Sequence, residues 1–296
     1  MAKAASGKAR HASGIRAVKR ETDADGTSVR QKTGAGSRAG VGGRFRRAVL
    51  SPTVILGVFG TLAVVALWWV FTAAAATHPM LGAFSPAKIP AALESLLERG
   101  ALIEDIGLSL WRLLAGIAIA AGIGIPLGLL LGFSRPAAAA SSPTVQFLRM
   151  VSPLSWAPIA VVLFGVGGAP VIFLVAMAAV WPITLTVVSG VHGLDPIYRQ
   201  LAFTLGATRW ETLRSVLLPA LVPSILAGVR LALGIGWVII VPAEMLGVSS
   251  GLGYEILNAR DRLAYDEMLA VILMIGLLGI ILDALASRLL RQRRVR

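Results

Sequence analysis

Cysteine is absent from the sequence, which excludes disulfides, thiolate metal sites and cysteine nucleophiles. Charge is scarce: 15% of residues are Asp, Glu, Lys or Arg, against about a quarter in ordinary soluble domains. No segment carries the spaced Gly-Lys-Ser/Thr pattern that cradles phosphate. Apolar surface takes the place of charge. Hydrophobic residues make up 56% and the mean hydropathy is +0.78. Apolar runs of about 20 residues, the length that crosses a bilayer, recur along most of the chain.

A formal net charge of +13 would suggest nucleic acid, but its location removes that reading. Residues 1–47 hold 12 Lys/Arg against Glu21, Asp23 and Asp25, or +9, and Arg288, Arg291, Arg293, Arg294 and Arg296 add +5, leaving −1 for everything between (13 − 9 − 5). Basic charge confined to both ends is what the positive-inside rule predicts for two cytoplasmic termini and an even number of spans. Residues 1–47, rich in Gly, Ala, Ser, Lys and Arg, read as a disordered tail. It sets topology or meets anionic headgroups of the membrane lipid.

The fold class expected is an all-α integral membrane protein with six spans, at about 53–75, 106–133, 143–164, 169–191, 223–243 and 268–290. Residues 48–296 then form one transmembrane domain. Trp68, Trp69 and Phe71 suit an interfacial belt. A short inner loop is expected over 134–143 and outer segments over 77–105 and 244–267. The one long segment of mixed polarity between spans, 192–222, falls inside by alternation.

Two spans carry small residues at every fourth position, Gly116, Ala120, Gly124, Gly128 and Gly132 in one and Ser224, Gly228, Ala232 and Gly236 in the other. In lipid, close helix contact relies on such residues, within the subunit or between subunits. Pro126, Pro153, Pro158, Pro182 and Pro242 fall in or near spans, where each can bend a helix.

The 192–222 segment reads as two short amphipathic helices joined at Gly206, whose missing Cβ permits the positive φ that ends a helix. Thr208 can cap the second helix, which is expected to stop at Pro219. Trp210 and neighbouring arginines would then stand on a rigid corner suited to docking in another protein.

Here the sequence resembles a family. Permeases of bacterial ATP-binding-cassette importers carry in this loop Glu-Ala-Ala, three residues, Gly, nine residues, then Ile-x-Leu-Pro. Aligned on Gly206, this chain has Gln200-Leu201-Ala202, then Gly206, then Val216-Leu217-Leu218-Pro219. The spacing is met throughout, with Gln200, Leu201 and Val216 departing from the pattern. The resemblance runs from about Leu108 to the end. It is strongest to the branch importing nitrate, taurine, alkanesulfonates and similar small anions, through Gly124-Ile-Pro-Leu-Gly128, Leu205-Gly-Ala-Thr-Arg-Trp210, Ala243-Glu-Met-Leu-Gly247 and Ser250-Gly-Leu-Gly-Tyr254.

The resemblance implies a type I importer permease with a coupling loop comprising Gln200, Ala202, Gly206, Arg209, Trp210, Leu218 and Pro219. It implies two ATP-binding-cassette subunits, a second permease copy, and a periplasmic or lipid-anchored substrate-binding protein, in the inner membrane. It implies no catalysis, metal or cofactor in this chain, since its partners hydrolyse ATP. Transport would follow alternating access.

Arg112, Arg230 and Asp283 lie within expected spans, where a central charge costs roughly 2.5–3.5 kcal/mol on insertion scales, so each needs a partner or a wet position. Arg230, with Trp156 and Pro158 on a neighbouring span, is the candidate to meet an anion in the pathway. Alternatively it pairs with a carboxylate or snorkels. Glu244, at the outer end of its span, reads as a structural contact or a gate. Two other function classes compete: a secondary transporter driven by an ion gradient, for which no internal repeat is visible, and a non-transporting scaffold.

Overall fold

The computed structural model describes residues 52–74 and 84–293; the tail read as disordered, residues 1–47, lies outside them. Every regular element among the described residues is helical. Helix α1 spans Pro52–Ala74 and runs across a division between two compact units at Phe59 and Gly60. The larger unit contains all the elements that follow: α2 (Ile89–Glu98), α3 (Ala101–Phe133), α4 (Arg135–Met150), α5 (Ala157–Phe164), α6 (Gly168–His192), α7 (Ile197–Thr204), the single turn α8 (Arg209–Glu211), α9 (Leu218–Glu244), α10 (Leu252–Asp261) and α11 (Tyr265–Arg293).

Four stretches among the described residues are long and apolar enough to cross a membrane: Leu102–Phe133, Gly168–His192, Thr212–Glu244 and Tyr265–Arg288. A bent pair, Arg135–Met150 with Pro153–Phe164, whose arms turn by 87°, has the length and composition of either a broken crossing or a re-entrant loop. The run expected as one span at 143–164 therefore bends at Pro153, one of the prolines expected to bend a helix. Val151 and Ser152 are extended, at ψ 125° and 130°, because Pro153 disfavours helical backbone in the residue before it. The loop expected at 134–143 is likewise helix. Ser134 caps α4 by accepting from the Ala137 amide, and the alanines at 137–140 are strong helix formers. The expected outer segments, 77–105 and 244–267, contain α2 and α10.

Helix α6 lies at the centre, with Val175, Ala179, Ile183 and Val187 fully buried, and both α3 and α9 pack along it. The small residues make that approach possible. A Cβ placed on Gly128 would come within 2.7 Å of the Thr184 carbonyl oxygen and of Val187 Cβ, and one on Gly132 within 2.7 Å of Val191 Cβ. On α9, Ala232 is fully buried, and Gly228 faces Ile183 and Thr186 of α6. Both stripes therefore serve packing inside the subunit. Gly128→Leu is expected to destabilise the fold by roughly 1–3 kcal/mol, because a backbone oxygen cannot move aside cheaply. Gly122→Leu, on the same helix with nothing within 4 Å, should be tolerated. Thermal midpoints of the two purified variants check the contrast.

Candidate functional site

The corner between α7 and α9 is built by local chemistry. Asp195 Oδ1 accepts from the Ile197 amide at 2.9 Å and starts α7. Helix α7 ends at Gly206, at φ +72°. There the Gly206 amide donates to the Phe203 carbonyl and the Ala207 amide to the Ala202 carbonyl, both at 3.0 Å, the paired bonds of a Schellman stop. Two residues on, a capping box begins the next helix. Thr208 N–H donates to Glu211 Oε2 at 2.8 Å, and Glu211 N–H donates back to Thr208 Oγ1 at 3.3 Å. The Thr208 amide, and then its hydroxyl, hold the exposed Glu211 carboxyl below the ordinary carboxylate range. A depressed folded-state value means the cap contributes fully above the unfolded pKa and is lost as pH falls through the folded one.

The second arm does not stop at Pro219, contrary to expectation. Thr212–Leu217 form a π-helical turn, with Leu218 N–H bonded to the Leu213 carbonyl, and helix continues through Pro219 to Glu244. The wider turn absorbs the proline's missing donor and the crowding of its ring. The corner is thus one rigid piece with the span that follows. Of the loop residues singled out from sequence, Ala202 is buried, Leu218 half-buried, and Gln200, Gly206, Trp210 and Pro219 exposed; the side chain of Arg209 lies outside the described atoms. Large apolar side chains stand out from the corner, among them Phe203 at 85% exposure, Leu205 at 76%, Trp210 at 66%, Ile197 at 59% and Leu201 at 58%.

The four pathway candidates are not brought together. Arg230 forms a two-pronged ion pair with Asp283 of α11, Nε to Oδ1 and Nη2 to Oδ2, each at 3.0 Å. Both side chains are substantially exposed. Pro158 is exposed. Trp156 lies on the wall of a cavity of about 410 Å³ between the α4–α5 bend, α6 and α9. The Arg230–Asp283 pair gives a test. Each single substitution, Arg230→Gln or Asp283→Asn, leaves one charge without its partner inside a span and is expected to lower stability by roughly 2–3 kcal/mol, and the double substitution to recover most of it. A thermal-shift double-mutant cycle reads this directly, whereas a pathway role predicts lost uptake at unchanged stability.

Glu244 is fully buried at the centre of a polar network. Its Oε1 accepts from Arg112 Nη1 at 2.8 Å, and its Oε2 accepts from Ser109 Oγ at 2.8 Å and from the Gly253 amide at 3.0 Å. Ser109 Oγ in turn accepts from the Leu252 amide at 3.0 Å. Arg112 also donates to the Ser250 carbonyl and hydroxyl, and Asp105 accepts from the Gly251 amide at 2.6 Å. The network clips the turn after α9 onto the first part of α3. A Cβ on Gly251 would meet the Glu244 carboxylate at 2.5 Å, which is why Ser250-Gly-Leu-Gly-Tyr254 needs its glycines. Of the two sequence readings of Glu244, this geometry is that of a structural contact. Ser250 stands in the Ser250-Gly-Leu-Gly-Tyr254 run quoted above, whereas the only sequence signal for Ser109 and Asp105 is that Arg112 requires a partner.

The chain matches the family described as "Binding-protein-dependent transport system inner membrane component" over residues 124–295. It belongs to that family. The chain is 34% identical over 249 residues to the bicarbonate transport system permease protein CmpB of Synechococcus elongatus, covering 80% of this chain and 88% of the relative. It is 33% identical over 256 residues to the taurine transport system permease protein TauC of Escherichia coli, covering 82% and 90%. Its fold resembles a solved inward-facing structure of the MetNI methionine ABC transporter at TM-score 0.57 and 20% identity, covering 65% of this chain and 95% of that one. The resemblance read from the coupling loop therefore holds: this is an integral membrane permease with the fold of type I importer permeases.

Proposed function

We propose that this permease forms the translocation pathway for a small anion such as nitrate, taurine or an alkanesulfonate. It does so as one of two copies, above two ATP-binding-cassette subunits and below a periplasmic or lipid-anchored binding protein. The observation that carries this reading is the corner at 197–217. Large apolar side chains held out on capped, rigid backbone are a docking surface for another protein, and the corner is continuous with α9. Motion of a docked ATPase would be transmitted along that helix into the bundle. Relatives named for bicarbonate and taurine support a small-anion substrate. Both termini would be cytoplasmic in the inner membrane, since the basic residues sit at the ends. ATP hydrolysis belongs to the partner subunits.

The test is uptake into proteoliposomes containing the permease, its ATPases and its binding protein. Uptake should require ATP and binding protein, should persist with ionophores present, and should accept an anion of this set. ATP-independent, ionophore-sensitive uptake would return the gradient-driven alternative.

A further inference from the structure

The cavity beside Trp156 has a composition that the pathway candidates read from sequence did not include. Its one charged wall residue is Arg149, in the last turn of α4. Arg112 and Arg230 are both matched to carboxylates. Arg149 is exposed and takes part in no ion pair or side-chain hydrogen bond among the described residues. No acidic residue lines the cavity. The remaining walls are apolar or aromatic, including Trp156 at the bend, Met177, Trp181 and Leu185 of α6, and Ile239 of α9. These α6 residues lie around the middle of a 25-residue span, so the cavity is at membrane depth. The broken backbone at Val151–Ser152 adjoins it, and non-helical backbone at that depth is tolerated only where it is buried in protein or lines a wet cavity.

We propose that this cavity holds the transported anion, that Arg149 rather than Arg230 meets its charge, and that the preferred occupant is a monoanionic organic acid with a short apolar body. The chemistry follows from the walls. An unmatched guanidinium at the open side of a recess whose other walls are apolar favours an oxyanion, which it can grip through two parallel N–H bonds. An inorganic anion would surrender much of its hydration to the apolar walls it faces, and these cannot repay it. A sulfonate or carboxylate with an alkyl body instead lays that body against Met177, Leu185 and Ile239. A zwitterion fits less well, because its ammonium finds only the indole faces of Trp156 and Trp181 and no carboxylate.

This inference rests on the anion-permease reading, yet its test needs no partner subunit. The full-length chain in nanodiscs is titrated with 1-butanesulfonate, bicarbonate and taurine, and its intrinsic tryptophan fluorescence is followed. The expected result is a saturable change with 1-butanesulfonate, weakened about tenfold or more in Arg149→Gln and by only about threefold in Arg149→Lys. Bicarbonate and taurine should bind roughly tenfold or more weakly, since they lack the apolar body or add a second charge. Arg288→Gln, a charge loss elsewhere, should leave binding unchanged. Unaltered affinity in Arg149→Gln, or no saturable response in the unmodified chain, overturns the site. Equal affinity for bicarbonate overturns the organic-acid preference. If Arg149 only closes the end of α4, Arg149→Gln lowers folded yield while the surviving protein binds normally, which also overturns the proposal. Any of these results with ATP-driven uptake intact leaves the importer reading standing, and failure of ATP dependence in the unmodified complex sinks that reading whatever Arg149 does.

Discussion

Glu244→Ala is expected to destabilise the folded permease by about 3–5 kcal/mol, the cost of removing one partner from a buried ion pair. Arg112 would keep its two bonds to Ser250, but its charge would be buried with the nearest carboxylate gone. The Gly253 amide and the Ser109 hydroxyl would lose their acceptor as well. Each unsatisfied buried group adds a penalty that no water relieves. Glu244→Gln should fall between the two, because an amide oxygen still accepts from Gly253 while the charge on Arg112 goes unmatched. The double substitution Arg112→Met with Glu244→Leu should recover most of the loss, since a buried pair replaced by apolar residues of similar volume is often neutral. The measurement is the thermal midpoint of each purified variant, combined as a double-mutant cycle. A normal midpoint for Glu244→Ala would mean that the turn after α9 is held by packing alone. Uptake should fall in parallel with folded protein, because the network clips the bundle together and none of its residues lines the cavity beside Trp156.

That network shows where reading the sequence stops. Long apolar runs announce α3, α6, α9 and α11, since nothing but a bilayer asks for so many uncharged residues in succession. The stripe at Gly116–Gly132 announces close packing, though only the structure names α6 as the surface it packs on. The corner at Gly206 is legible because its causes are local: a glycine at the helix stop, a threonine two residues on and a glutamate three beyond that. Glu244 and Arg112 are 132 residues apart, and no local rule joins them. At the α4–α5 bend Pro153 marks the place, but nothing in the sequence gives the size of the turn. Its arms are helical on either side of Pro153, so hydropathy averaged over 143–164 sees one run where the backbone turns by 87°. At Pro219 helix persists where a stop is expected. Proline ordinarily ends a helix, but a π turn immediately before it supplied the slack, and the helix went through.

Continuity through Pro219 bears on the second large effect expected, at the coupling corner. Trp210→Ala should cost about 2 kcal/mol or more of association with the ATPase subunits, as truncation of a central aromatic commonly does at protein interfaces. Trp210 is 66% exposed and lies outside the spans, so folding and membrane insertion should be little affected. Gly206→Val should act through the backbone instead. No atom lies within 4 Å of a Cβ placed there, so space is not the constraint; φ of +72° is. A β-branched residue in that region carries strain of roughly 1–3 kcal/mol, which the chain can relieve by giving up the Schellman stop and re-aiming α7. Gly206→Asn, which tolerates left-handed backbone far better, should retain most coupling and separates strain from loss of contact. Because α9 begins one turn beyond the corner without a break, Trp210→Ala should loosen the grip on the ATPases, whereas Gly206→Val should misplace α7 relative to a lever that remains intact. The readouts are co-purification of the ATPase subunits and substrate-stimulated ATP hydrolysis in liposomes. Trp210→Ala should lower the first, and Gly206→Val should lower the second more than the first. Wild-type values of both quantities in both variants would show that force does not enter the bundle through this corner.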